Sequence, residues 1–136
     1  MRSIDFHIGL PGTARQCHQM EAFLLFIGFD RVDLPPRWKN SGLQWFQKEG
    51  IQIQLIPKTF LRNDSQKKSQ LHKFMTTLPH IAFNVSSFPS KENIKTLRLH
   101  IIEGPLTRPD GLEQLYLMGH SKNYFLELNL RNETLH

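Results

Sequence analysis

The sequence predicts an α+β domain made of two successive strand–helix–strand–strand–strand (βαβββ) modules. Three observations predict it. Short segments alternate apolar with polar residues, two helical stripes interrupt them, and chemistry-bearing residues recur at one fixed spacing along the chain.

The first segment, Ile4 to Leu10, sets Phe6, Ile8 and Leu10 on one face and Asp5, His7 and Gly9 on the other, as a half-buried strand requires. Pro11-Gly12 breaks this strand, and Thr13 caps a helix whose apolar stripe is Cys17, Met20, Phe23, Leu24 and Ile27. Gly28 ends the helix. Period two resumes from Phe29 to Leu34 until Pro35-Pro36 stops it, and two further strands, Leu43–Gln47 and Ile51–Ile56, flank the turn Lys48-Glu49-Gly50. Arg62 to Gln70 is a polar connection. The same grammar then returns. His80–Val85 alternates with Ile81, Phe83 and Val85 on one face; Ser90 caps a helix with Glu92 in its first turn and Ile94, Leu97 and Ile101 inward; Gly104-Pro105 closes it. A weak strand around Pro105–Arg108 and clear ones at Gln114–Met118 and Tyr124–Leu130 complete the second module. The expected boundaries, within one domain spanning 1–136, are about 1–57 for module 1, 58–78 for the connection and 79–131 for module 2.

A register test supports the repeat. His7 to His80 and Gln54 to Glu127 both span 73 positions (80 − 7 and 127 − 54), and the same shift carries Ile8 onto Ile81 and Leu55 onto Leu128. Each module thus holds a histidine in its first strand and an amide or carboxylate in its last, on faces opposite the helix-packing residues. Two imidazoles, a carboxylate and an amide oxygen suit a borderline divalent metal such as iron, manganese, nickel or zinc. Without Gln54, the weakest donor, His7, His80 and Glu127 remain as a facial triad with open positions for substrate. Taken singly each residue has a plainer reading: a strand histidine is usually just hydrogen-bonded, Gln52 is as polar as Gln54, and Glu127 could pair a lysine. The symmetric set is what points to a metal.

Composition narrows the function. A chain of 136 residues with a formal charge of +5 and 21% charged residues is neither disordered nor fibrous. Its basic residues are scattered apart from Lys67, Lys68 and Lys73, so no nucleic-acid platform is expected, and the charge suits small anionic substrates better. No apolar stretch is long enough to span a membrane and no signal-like h-region opens the chain, so a cytoplasmic setting is expected; the single cysteine, Cys17, permits no internal disulfide. Cys17 reads as a buried hydrophobe, and His18, His72, His100 and His136 read as surface residues. Trp45, Phe46 and Phe125 are candidates for a cavity lining.

The strings Ile51–Ile56, Pro79–Val85 and Asn123–Leu128 resemble the vicinal oxygen chelate superfamily: glyoxalases, bleomycin-resistance proteins and extradiol dioxygenases. The resemblance implies that the two βαβββ modules form a cupped mixed sheet with helices on its outer face, and that the metal ligands are His7, Gln54, His80 and Glu127. It departs from the family where members carry Asp-Pro-x-Gly-Asn, here Gly119-His120-Ser121-Lys122-Asn123, and where bacterial glyoxalase I carries a glutamate, here Gln54. Fosfomycin-type thiol transferases use a similar triad, and Tyr116 and Arg108 are the nearest candidates for their epoxide- and phosphonate-holding residues. Dioxygenases need a further acid–base group, for which His120 or Tyr124 would serve, although alternation turns Tyr124 away from Glu127. The expected function is a metal-dependent lyase, isomerase or thiol transferase acting on a small oxygenated substrate, with Glu127 as the catalytic base and a homodimer as the assembly. The alternative is a metal-free protein that sequesters a small ligand.

Overall fold

The structure is a computed structural model that describes residues 6–60, 69–119 and 121–130. Module 1 comprises β1 (Phe6–Gly12), α1 (Ala14–Phe26), β2 (Asp30–Val32), a short 3-10 turn (Pro36–Trp38), β3 (Gln44–Lys48) and β4 (Ile51–Pro57). A helix α2 (Gln70–Met75) follows, and module 2 comprises β5 (His80–Val85), α3 (Lys91–Thr96), β6 (His100–Thr107), β7 (Glu113–Met118) and β8 (Phe125–Leu130). All eight strands form one cupped mixed sheet in the order β2-β3-β4-β1-β5-β8-β7-β6. The modules join through the antiparallel pair β1–β5, while β1–β4 and β5–β8 are parallel within each module.

Local chemistry accounts for most elements. Thr13 closes a capping box with Gln16, each side chain answering the other's backbone N–H, so α1 starts where the sequence marks it. Ser90 caps α3 in the expected way. Other expectations are corrected. Strand β1 runs through Pro11-Gly12, because β5 pairs with β1 only as far as Gly9 and the missing proline N–H falls where the ladder is one-sided. Helix α1 stops at Phe26, so its inward stripe is Cys17, Met20 and Leu24, while Phe23 and Ile27 are exposed. Helix α3 is shorter, with 6 residues: Ile94 is buried, whereas Leu97 caps its end and Ile101 belongs to the next strand.

That strand, β6, is no weak segment around Pro105; it begins at His100 and carries Gly104-Pro105 inside it at a register shift against β7. Gly104 has φ +106°, and a Cβ there would come within 2.6 Å of the Gln114 carbonyl oxygen, so only glycine lets the two strands approach. Helix α2, capped by Ser69, lies in what the sequence presents as polar connection.

Alternation divides the core into two layers. On the outer face, α1 covers Phe46, Ile53 and Leu55, and α3 covers Leu115 and Leu117 with Leu126 and Leu128 beside them. On the cup face, α2 lays Leu71, Phe74 and Met75 onto Tyr116, Met118 and Phe125, and Trp38 packs with Leu43, Ile56 and Phe60. The cup is therefore plugged at both ends and left open at its centre, where β1 and β5 meet.

Candidate metal centre

The β1–β5 ladder sets His7 opposite Ala82 and Gly9 opposite His80, with Ile8 opposite Ile81 at the centre of the exchange. The neighbouring ladders extend each pair by one strand: Glu127 lies across from Ala82, and Gln54 across from Gly9. Two rows result, Glu127–Ala82–His7 and Gln54–Gly9–His80, each with a small residue in the middle. A side chain larger than a methyl at Ala82, or any side chain at Gly9, would fill the space over which the flanking groups converge. The 73-residue repeat is thus visible as an approximate two-fold relation across the site.

Convergence is tight. His7 Nε2 stands 3.6 Å from Glu127 Oε2, and His80 Nε2 stands 3.8 Å from Glu127 Oε1. One ligand atom from each of His7, His80 and Glu127 lies within 4.8 Å of the others. Bonds of about 2.1 Å to a tetrahedral ion would put ligand atoms about 3.4 Å apart, close to the 3.6 and 3.8 Å that separate Glu127 from His7 and His80. The donor set, two imidazoles and a carboxylate, fits a borderline divalent metal, and the three residues form a cluster that could hold one.

Each ligand is held from behind. The His80 ring, 1% exposed, stacks on Phe125 with centroids 4.9 Å apart and meets the His7 ring edge-on at 5.4 Å. Its other side lies over Gly9, where an added Cβ would come within 2.0 Å of Cε1. Glu127 Oε2 accepts a 2.9 Å hydrogen bond from Asn129 Nδ2, and Asn129 Oδ1 accepts one of 3.0 Å from Gln114 Nε2, all three residues being buried. Such a relay aims the carboxylate and keeps its lone pairs engaged. Gln54 lines the same cavity but spends its amide nitrogen on Gln52 Oε1 at 2.6 Å, leaving its oxygen as the donor atom it can offer.

The centre opens into a cavity of about 330 Å³ reaching from Trp38 and Trp45 in module 1 to Arg108 and Tyr116 in module 2. The sequence reading needs three corrections, two of them in the lining. Trp45 lines it, but Phe46, the next residue along β3, turns to the α1 side and is fully buried there. Phe125 supports His80 instead of facing the opening. His72, expected at the surface, is buried in α2. Tyr116 and Arg108 both line the cavity, and Tyr116 is the cross-strand neighbour of Glu127. Tyr124 is exposed, and His120, like His136, lies outside the described residues. Burial raises the Cys17 thiol pKa, in keeping with its place against α1's packing partners.

Sequence reasoning missed Asn129, Gln114, Arg37 and Trp38. Asn129 was within reach, since it lies two residues beyond Glu127 and alternation sets both on one face. Gln114, Arg37 and Trp38 carry no such signal, because only strand pairing and chain folding bring them to the site.

No protein-family model matches the chain, and no curated protein matches it. Solved structures do. A hypothetical protein from Bacillus halodurans aligns over 98% of this chain and 97% of its own, at 17% identity and a TM-score of 0.55. A glyoxalase/bleomycin resistance protein/dioxygenase superfamily member from Vibrio splendidus aligns over 94% and 98%, at 9% identity and a TM-score of 0.53. Methylmalonyl-CoA epimerase from Streptomyces coelicolor, in complex with 2-nitronate-propionyl-CoA, aligns over 96% and 98%, at 15% identity and a TM-score of 0.50. Together with the paired βαβββ modules, these likenesses define the class: the chain has the vicinal oxygen chelate fold. The shared feature is architecture, at identities where side-chain roles have to be argued from this chain's own geometry. Among the described residues, no helix is long and apolar enough to cross a membrane.

Proposed function

We propose that the protein is a metal-dependent enzyme that binds a small oxygenated substrate by chelation, its ion held by His7, His80 and Glu127 with Gln54 as a fourth, weaker donor. The observation that carries this reading is the convergence of three ligand atoms within 4.8 Å at the floor of an open cavity. The ion, when bound, would polarise substrate oxygens as a Lewis acid. The chain's own groups supply the rest. Glu127 is the one carboxylate lining the cavity among the described residues, so Glu127 is the group positioned to take a proton from substrate and return it. Asn129 donates to one of its oxygens, Oε2, and His80 Nε2 stands beside the other, Oε1. Trp38, Trp45 and Phe60 exclude water on one side.

Lyase, isomerase or thiol-transfer chemistry is favoured over oxygen insertion, because Tyr124, an acid–base candidate for the latter, is exposed. One structural neighbour bears the name of an epimerase, a reaction class that a single returning base would serve. A homodimer in the cytoplasm completes the reading; the apolar residues left on the surface, Phe26 at 88% exposure with Phe23 and Phe83, support association, and the one cysteine suits a reducing compartment. The second reading, a metal-free protein that sequesters a ligand, draws on the same aromatic wall.

Metal content per chain decides between them. Plasma mass spectrometry of untagged protein is expected to find about one ion per chain, lost in His80→Ala, since a structural set of this kind binds only as a unit. No bound ion after reconstitution with iron, manganese, nickel and zinc in turn would leave the sequestering protein.

A further inference from the structure

The cavity wall carries charge that the metal centre does not use. Arg37, from the 3-10 turn of module 1, and Arg108, from the end of β6 in module 2, both line it. Glu127 is the acid in that lining, and no lysine or aspartate joins it among the described residues. An ion bound at the floor would add positive charge to this lining.

Both guanidinium groups are held in place. Arg37 lies over the Trp38 ring, 5.2 Å from its centroid, a cation–π contact that orients it. Arg108 Nη2 donates to Asp110 Oδ2 at 2.6 Å, and Asp110 Oδ1 in turn accepts from the backbone N–H of Leu112, so a tight turn fixes the arginine. Asp110 is half exposed and answers one edge of Arg108 only. The Arg108 Nε–H is buried and has no acceptor among the described residues, and the same is true of the Trp45 indole N–H. Two buried donors on cavity-lining residues, each costing about 1–3 kcal/mol while unmet, call for an acceptor that a ligand would bring.

We propose that the substrate is a small organic anion, with an apolar body against Trp38 and Trp45 and a carboxylate group bound by Arg37 and Arg108. This rests on the cavity being the substrate site proposed above, but not on a metal being present. The two arginines come from different modules, so one anionic group bridges the halves of the cup while the ion at its floor addresses a different part of the molecule. Planar guanidinium groups suit such an anion because each can donate two parallel hydrogen bonds.

The test exploits a convenience of the chain: its two tryptophans, Trp38 and Trp45, both line the cavity, so intrinsic fluorescence reports occupancy directly. Metal-stripped protein is titrated with cyclohexanecarboxylate and with its neutral analogue cyclohexanecarboxamide, neither of which absorbs with tryptophan. The carboxylate is expected to give a saturable change and to bind at least tenfold more tightly than the amide. Arg37→Gln and Arg108→Gln should each weaken it about tenfold, the equivalent of about 1.4 kcal/mol. Lys95→Gln, on exposed α3 far along the sheet, should leave binding unchanged and so exclude a general charge effect. Equal binding of acid and amide, undiminished binding in both arginine variants, or no fluorescence response would overturn the proposal. Because the titration omits metal, failure of the metal reading leaves this result intact, and failure here leaves a measured metal stoichiometry standing.

Discussion

Replacing Gly9 by alanine tests the architecture of the proposed metal centre through a residue that is not one of its candidate ligands. Gly9 lies in β1 directly opposite His80, and a Cβ on it would fall 2.0 Å from Cε1, 2.4 Å from Nδ1 and 2.7 Å from Nε2 of that imidazole. Ordinary contact begins near 3.4 Å, so the ring would have to retreat about 1.4 Å. It has nowhere to go: Phe125 is stacked behind it, fully buried, and Phe125 is itself backed by Phe74 and Tyr116. Metal ligands tolerate errors of about 0.2 Å, so the displaced ring should lower metal affinity by at least 10–100-fold. The backbone argues the other way, since alanine in a strand is about 0.5–1 kcal/mol better than glycine. Any loss of stability must therefore come from overpacking, which costs about 1–3 kcal/mol, and a net loss of about 1–2 kcal/mol is expected in urea unfolding of metal-free protein. In a His80→Ala background the space is vacant, and the same Gly9→Ala change should become neutral or stabilising, a coupling that a double-mutant cycle measures. Wild-type metal affinity in a chelator competition, together with unchanged stability in the His80 background and the parent alike, would refute the reasoning.

Two further predictions concern the groups behind the site and the far edge of the sheet. Asn129→Ala removes the donor to Glu127 and strands Gln114, so metal affinity should fall about 10–100-fold and stability by about 1–3 kcal/mol, read by chelator competition and urea unfolding. In module 1, burial raises the Glu21 pKa, but the hydrogen bond from Gln44 and the Arg31 guanidinium 3.0 Å away outweigh that, with His18 adding a little, so the carboxyl titrates below its ordinary value. Its contribution, about 0.2–1 kcal/mol, is then fully present above the ordinary carboxyl range and is lost as pH falls through the lowered folded value. Urea midpoints of wild type and Glu21→Gln should accordingly differ at neutral pH and converge in acid; a gap that persists or widens in acid would contradict the sign.

Several features of this protein were legible in its sequence because they depend on a residue's immediate neighbours. Alternation in β1, β4, β5 and β8 assigns each side chain a face, and that is why His7, Gln54, His80 and Glu127 could be set on the surface opposite α1 and α3. The Thr13 and Ser90 caps are equally local, each a side chain answering an N–H three residues on. Alternation also had more to say than was drawn from it: Trp45 and Phe46 are consecutive, so one strand cannot turn both into the cavity. Helix stripes were less reliable, because α1 and α3 are short and a periodic pattern does not record where a helix stops.

Tertiary structure decided the remainder. Gly104-Pro105 reads as a breaker, yet β7 lies so close that the glycine is what allows the strand to continue. Helix α2 reads as part of a polar linker, and only the bare apolar patch of Tyr116, Met118 and Phe125 gives its Leu71 and Phe74 something to bury against. Above all, the 73-residue spacing placed a histidine and an amide or carboxylate in each module without saying that His7, His80 and Glu127 meet. That depended on β1 and β5 pairing antiparallel in the one register that sets each histidine opposite a small residue of the other module. A shift of that register by a single residue would turn His80 or His7 to the outer face.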